Sequence, residues 1–322
     1  MSGGVAVWEA LRAEVAAGRD VVLAVVVDSE GHSPGRAGFV MAVGRAGWLA
    51  GTTGGGAAEA AVVERALALL DGGHTSALLT QTHDDSAATP SGLICGGEQR
   101  VALVRMPAGL DLSGVVEALR SGDTVAWSAG PDGWTAGGTD GGIGGGAADG
   151  FAGDAGRWRF SWTSGPRRHA YLVGAGHVGG ALARTLVPLG FRVTVVDERP
   201  GAAARLAGTA HAAVERPYEE LAGIVAPGRD CCVLVATHAP ARDQAALDAV
   251  AGLELGYVGV LGSPAKLRRI GVPGRVHAPM GLPIGSHTPE EIAVSVAAEV
   301  LQVLRRHPAH PAHPADPADP AD

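Results

Sequence analysis

Cysteine is scarce in this chain: three in 322 residues, Cys95, Cys231 and Cys232, an odd number with no CxxC spacing. Neighbours on a strand point to opposite faces, which argues against a disulfide framework or a zinc knuckle. Massed basic charge is missing as well. The 25 Lys and Arg are scattered among 33 Asp and Glu, the formal net charge is −8, and the electrostatic footprint of a nucleic-acid binder is lacking. No run approaches the roughly 20 apolar residues that a membrane helix needs. The opening MSGGVAVWEALRAEV lacks a basic segment followed by an apolar one. The expectations are no nucleic acid, no membrane and a cytoplasmic location, with a homo-oligomer left open.

What the chain has in quantity is glycine, 50 residues, beside 20 prolines. Hydrophobic residues at 46% and charged residues at 18% nevertheless give a globular composition, and the length allows two domains, each with its own core. A helix at about 5–17 with Val7, Leu11 and Val15 on one face precedes a β-branched strand, VVLAVVV, stopped by Gly31 and Pro34. FVMAV and GWLAGTT read as a hairpin. The following helix starts at the triplet Gly54, Gly55, Gly56, stops at Gly72 and Gly73, and carries Val62, Val63, Ala66, Leu67 and Leu70 on one face. SALLTQT and QRVALVR are further strands, with ICGGE between them. This mixed α+β domain is expected over 1–106. Residues 107–165, with GGTDGGIGGGAADGFAGDAG, read as a glycine-rich insert or linker with short Trp-containing strands on either side. From 166 to 306 strands and helices alternate as a parallel, doubly wound α/β sheet requires. The tail over 307–322, a His/Pro/Asp repeat, reads as disordered.

The segment YLVGAGHVGGAL places Gly174, Gly176 and Gly179 between a strand and a helix, with Asp197 at the end of the next strand. Glycine lets the backbone approach a phosphate, which then meets the unpaired N–H groups of a helix N-terminus, while Asp197 is placed to accept ribose hydroxyls. The same residues also describe a tight turn with no ligand. His238 ends the strand VLVATH, where α/β sheets bind ligands, and His32, His74, His83 and His177 are further imidazoles whose ordinary role is surface hydrogen bonding. Ser263 before Pro264, and Thr288 with Pro289 and Glu291, read as helix caps; anion contact at Ser263 and Lys266 is the second reading of the first. An NAD(P)-dependent oxidoreductase and a ligand-free adaptor both stay open on these residues.

In order, GHSPGRAGFVM, GTTGGGAAEAAV, ICGGE, YLVGAGHVGGALARTLVPLGFRVTVVDER, VLVATH, YVGVLGSPAKLRR and PIGSHTPEEIAVSVAAEVL resemble the XdhC/CoxI family of xanthine dehydrogenase accessory proteins. The resemblance implies an N-terminal XdhC/CoxI domain followed by a Rossmann-like domain. It implies a chaperone that binds molybdenum cofactor (molybdopterin), supports its sulfuration with a cysteine desulfurase and delivers it to a xanthine dehydrogenase-type molybdenum hydroxylase. The glycine loop would then hold a pterin phosphate, and no residue is assigned a catalytic role. The positions implied to contact the cofactor are Ser33, Arg36, Gly54, Gly55, Gly56, Glu59, Cys95, Gly96 and Gly97 in the first domain. In the second they are Gly174, Gly176, His177, Gly179, Asp197, His238 and Ser263. Arg36 stands one position later than the S-P-R pattern usual in the family places it, and GGGAAE lacks the cysteine that some relatives carry as GGCVE. Cys95 is left as the matched thiol and the metal-ligand candidate, its other reading being a small buried hydrophobe. Glu59, in the first turn of its helix, complements the dipole whether or not it touches cofactor.

Overall fold

The computed structural model describes residues 4–31, 33–82, 97–136, 150–153 and 157–306, and the chain divides into two compact units at Gly165/Pro166. In the first unit, α1 (Gly4–Ala16), β1 (Val21–Gly31), β2 (Val40–Gly44), β3 (Gly47–Gly51), α2 (Gly56–Gly72), β4 (Ser76–Thr82) and β5 (Gly97–Met106) follow in order. The strands form one antiparallel sheet, β3-β2-β1-β5-β4. The unbroken apolar run of β1 has a simple cause: both faces of the strand are covered. Val21, Leu23, Val25 and Val27 join Val7, Trp8, Leu11 and Val15 of α1 in one core, while Val22, Ala24 and Val26 join Val62, Ala66, Leu69 and Leu70 of α2 in another. Alternation with period two thus sorts one strand's side chains between two helices. In α2 it is Leu69, and not Leu67, that completes the buried stripe, since 62, 66, 69 and 70 are the positions a 3.6-residue period brings to one side.

The segment expected as a glycine-rich connection flanked by short Trp-containing strands carries more regular structure than that. It holds α3 (Ser113–Arg120) and an antiparallel sheet of β6 (Val125–Gly130), β7 (Gly133–Ala136), β8 (Gly150–Gly153) and β9 (Trp158–Ser164), in the order β7-β6-β9-β8. Alternation decides the matter: Val125, Trp127 and Ala129 of β6 and Trp158, Phe160 and Trp162 of β9 are buried, and they join the core around α1. Trp8 meets Trp127 edge to face at 6.1 Å, and Phe160 stacks on Trp162 at 5.8 Å. The glycine-rich stretch 137–149 lies outside the described residues.

The second unit contains β10 (Arg168–Val173), α4 (His177–Leu186), β11 (Phe191–Asp197), β12 (Ala212–Glu215), β13 (Gly228–Val235), α5 (Pro240–Val250), β14 (Leu255–Val260), α6 (Pro264–Leu267) and α7 (Pro289–Arg306). Its strands are all parallel, in the order β12-β11-β10-β13-β14, the doubly wound Rossmann-type arrangement expected of the alternating pattern. Cys231 and Cys232 fall in the two cores on opposite faces of the sheet. Burial raises both thiols, Cys231 to about 11, so neither is a reactive thiolate at neutral pH. Both α7 and α6 begin with proline behind a polar cap. Thr288 and Glu291 form a capping box, with Glu291 N–H donating to Thr288 Oγ1 and Thr288 N–H to Glu291 Oε2. No helix among the described residues is long and apolar enough to cross a membrane.

His169, at the start of β10, is buried, stacks on Tyr171 at 3.9 Å and shares a hydrogen bond with Thr194. Burial first, then the Arg192 charge and His211, push its pKa down to about 4. The unfolded chain therefore binds a proton near pH 6.5 that the folded chain refuses until about pH 4. Stability from this residue is complete above pH 6.5 and falls as the pH drops toward 4, by up to about 3 kcal/mol. Urea unfolding of His169→Gln should show a flatter pH dependence in that window; a slope equal to the wild type's would show that His169 contributes none of it.

Candidate functional site

Strand order sets the site of the second unit. The chain leaves β10 for β11 on one side and returns to β13 on the other, so the carboxyl ends of β10 and β13 face a topological switch point. The loop after β10 brings Gly174, Gly176, His177 and Gly179 there, and the loop after β13 brings His238, which is exposed like His177.

The three glycines differ in what surrounds them. Gly174 has φ +109°, and a Cβ there would lie 2.6 Å from the Ala236 carbonyl oxygen. At Gly179 a Cβ would stand 2.1 Å from the Gly174 carbonyl oxygen, so this glycine lets α4 pack against the strand end. Around Gly176 nothing lies within 4 Å of a Cβ, and this exposed N-cap opens the ten-residue α4. Two glycines are thus closed by the protein and the middle one faces open space, the arrangement that admits a phosphate to a helix N-terminus.

Asp197 ends β11 as the sequence places it, but its carboxylate turns inward. The side chain is 0% exposed. Its Oδ2 accepts the Ala175 N–H at 2.7 Å and Arg199 Nη2 at 2.7 Å, and its Oδ1 accepts the backbone N–H and Nε of Arg199, both at 2.9 Å. Burial alone would raise this acid; the Arg199 guanidinium and the two backbone donors outweigh it and hold the carboxyl below the ordinary aspartate range. The carboxylate read as a ribose acceptor is therefore a pin for the glycine loop.

Ser263 caps α6, accepting from the Lys266 N–H at 3.3 Å. The Lys266 ammonium is occupied by the Thr237 and Leu261 carbonyls at 2.8 and 3.0 Å and by the buried Asp243 carboxylate at 2.5 Å. Asp243 also accepts the Thr237 hydroxyl at 2.6 Å. Ser263 is thus the helix cap that the sequence reads first, and Lys266, the second reading's anion contact, forms a clamp between the loops after β13 and β14. No motif marks Asp243, a lone acid in a helix first turn.

In the first unit the two glycine-containing loops meet. Gly35 and Gly54 touch so closely that a Cβ on Gly54 would stand 2.7 Å from Gly35 N, and one on Gly35 would stand 2.2 Å from the Thr53 carbonyl oxygen. Buried Gln99, on β5, joins them: its Oε1 accepts from the Ser33 hydroxyl and the Gly35 N–H, and its Nε2 donates to Gln81 Oε1 and to the Thr53 carbonyl. Glu59 Oε2 accepts from the Thr52 hydroxyl, Thr53 N–H and Gly55 N–H, so this carboxylate orders the loop and complements the α2 dipole at once. Gly55 and Gly56 have positive φ and open space beside them, while the Thr53 hydroxyl, 1% exposed, has no hydrogen-bond partner among the described residues. Ser33, Gly54, Gly55, Gly56 and Glu59 are thus brought together. Arg36 is exposed, and Gly97 opens β5 opposite Gly31. Cys95, Gly96, His32, His83 and the 307–322 tail lie outside the described residues. Among those described, no group of three or more His, Cys, Asp or Glu could hold a metal ion.

Gln99 was not legible as a site residue, because one amide in an alternating strand carries no motif. Its replacement by Leu would strand the Ser33 hydroxyl, the Gly35 N–H and the Gln81 Oε1 without the partners that Gln99 gives them, while Gln81 Nε2 keeps its bond to the Ala58 carbonyl. We expect a loss of roughly 2–4 kcal/mol, read as a lower urea midpoint. An unchanged midpoint would contradict the bridging role.

Residues 14–82 match the family described as "XdhC and CoxI family", and residues 170–300 match "XdhC Rossmann domain". Over 147 residues the chain is 35% identical to a probable xanthine dehydrogenase subunit from Bacillus subtilis, covering 44% of each protein. It is 36% identical over 165 residues to the "Uncharacterized protein YqeB" of Escherichia coli, covering 45% of this chain and 29% of that one. The chain thus spans less than half the length of these two relatives. A crystal structure described as a xanthine dehydrogenase from Bacillus halodurans shares the fold, with a TM-score of 0.70, 23% identity and coverage of 96% of this chain and 97% of that one. With an XdhC/CoxI match in the first unit and an XdhC Rossmann match in the second, the chain belongs to the XdhC/CoxI family.

Proposed function

We propose that this chain is an accessory protein of a xanthine dehydrogenase-type molybdenum hydroxylase: it binds molybdenum cofactor, supports its sulfuration with a cysteine desulfurase, and delivers it to the hydroxylase. The observation that carries the reading is the open space at Gly176, between two glycines that the protein closes itself. A phosphate there would meet the N-terminus of α4, and Gly174, Gly176, His177 and Gly179 would hold the pterin phosphate. Asp197, spent on the loop and on Arg199, leaves no carboxylate oxygen exposed for a ribose diol, which favours this reading over an NAD-type site. When bound, the cofactor supplies the molybdenum and its exchangeable oxo or sulfido ligand; the chain holds the phosphate end and keeps the group available for transfer. The Bacillus subtilis relative, described as a probable component of xanthine dehydrogenase, supports the choice of client. In the first unit, taken by itself, the loops pinned by Gln99, with Ser33, Arg36, Gly54–Gly56, Glu59 and Gly97, are a candidate cofactor-contact region, and Cys95 enters it on sequence alone.

The test is activation of a cofactor-free hydroxylase of the xanthine dehydrogenase type by cofactor, desulfurase and this chain together. Activity should rise well above that obtained with the chain omitted. Equal activation with and without the chain would overturn the accessory role.

A further inference from the structure

We infer that Arg199 selects, at the Rossmann loop, ligands carrying a phosphomonoester over those carrying only phosphodiester or pyrophosphate groups. The inference rests on the phosphate reading of that loop and names its ligand class. In dinucleotide sites the acid at the end of the second strand faces the ribose, and an arginine nearby accommodates a 2′-phosphate. Here the acid is withdrawn and the arginine is presented. Asp197 grips the guanidinium through two parallel bonds, Nε to Oδ1 at 2.9 Å and Nη2 to Oδ2 at 2.7 Å. Such a fork fixes the plane of the group.

The same Oδ2 accepts the Ala175 N–H, so the glycine loop and the guanidinium hang on one atom and their spacing is fixed. Two of five guanidinium donors are used by Asp197, and Nη1 has no hydrogen bond among the described residues, on a side chain that is 45% exposed. The neighbouring acids are otherwise engaged: Glu198 pairs with Arg242 at 2.9 Å, and Glu215 accepts the Gly201 N–H. A rigid cation with outward donors favours the group of highest charge, and a phosphomonoester carries about −1.5 to −2 near neutral pH against −1 for a diester. A pterin phosphate and the 2′-phosphate of NADP+ share this chemistry; NAD+ lacks it.

The experiment titrates the full-length chain with NADP+, NAD+ and molybdopterin by calorimetry. The expected result is that NADP+ binds at least about tenfold tighter than NAD+, and that Arg199→Met brings the two within about twofold while weakening molybdopterin similarly. Arg199→Lys, which keeps the charge without the fork, should recover part of the preference. Molybdopterin binding with neither dinucleotide, weakened by Arg199→Met, would also support the inference and identify the pterin as the source. Because Arg199→Met removes the partner of a buried carboxylate, the wild-type comparison stands alone: equal NAD+ and NADP+ affinities, both lost in Gly176→Val, would overturn the role of Arg199 and keep the loop. NADP+ selectivity lost in Arg199→Met but intact in Gly176→Val would keep Arg199 and overturn the loop reading. Binding of none of the three would overturn both.

Discussion

Gly176→Val is expected to abolish retention of a phosphate-bearing ligand and to leave a folded protein. The backbone at 176 has φ −81° and ψ −169°, extended values that valine adopts without strain, and the new side chain enters space empty of protein atoms. Its cost to folding is that of a poorer N-cap, about 1 kcal/mol, or a few degrees in melting temperature. The branched side chain stands where the phosphate must approach the α4 N–H groups, so binding should fall at least about a hundredfold. Gly179→Ala is the informative opposite: its Cβ would meet the Gly174 carbonyl at 2.1 Å, which should damage folding before binding is measured. A folded Gly176→Val protein that retains ligand with wild-type affinity would contradict the loop assignment.

Asp197→Asn is expected to destabilise the chain on the order of 3 kcal/mol at neutral pH, because a buried acceptor of four hydrogen bonds is replaced by a group that turns donors toward Arg199. The sign of the pH dependence follows from the lowered carboxyl pKa. A depressed acid contributes fully above its unfolded value of about 3.9 and loses that contribution as the pH falls through the folded value. The gap between wild type and variant in urea unfolding should therefore be widest near neutrality and narrow below about pH 4. A gap that is small at pH 7, or constant down to pH 2, would show that the carboxylate does not pin the loop through its charge.

Much of this fold could be read from the sequence, for reasons that mark where reading stops. The covered run of β1 and the glycine spacing after β10 are strong local signals, because double burial and close backbone approach each leave a distinctive residue pattern. The Trp-containing strands on either side of the glycine-rich stretch are legible from the alternation of Trp127, Phe160 and Trp162, but their pairing into one sheet and their place in the core around α1 are not, because the glycine-rich composition between them reads as a linker. With four residues, β12 is too short for periodicity to register, and its place beside β11 follows from the parallel sheet. The inward turn of Asp197 depends on an arginine two residues later and on an amide 22 residues earlier, and no motif records that. Gln99 is missed for the same physical reason: it joins Ser33, Gly35, Thr53 and Gln81, which only the sheet brings together.

The central claim is that this chain holds molybdenum cofactor. Its direct measurement is to incubate the full-length protein with the cofactor, separate the mixture by gel filtration, and assay the protein peak for pterin fluorescence after oxidation. Pterin travelling with the wild-type chain in an amount approaching one per chain, and absent from the Gly176→Val peak, is the predicted result; pterin confined to the small-molecule fractions in both would contradict it.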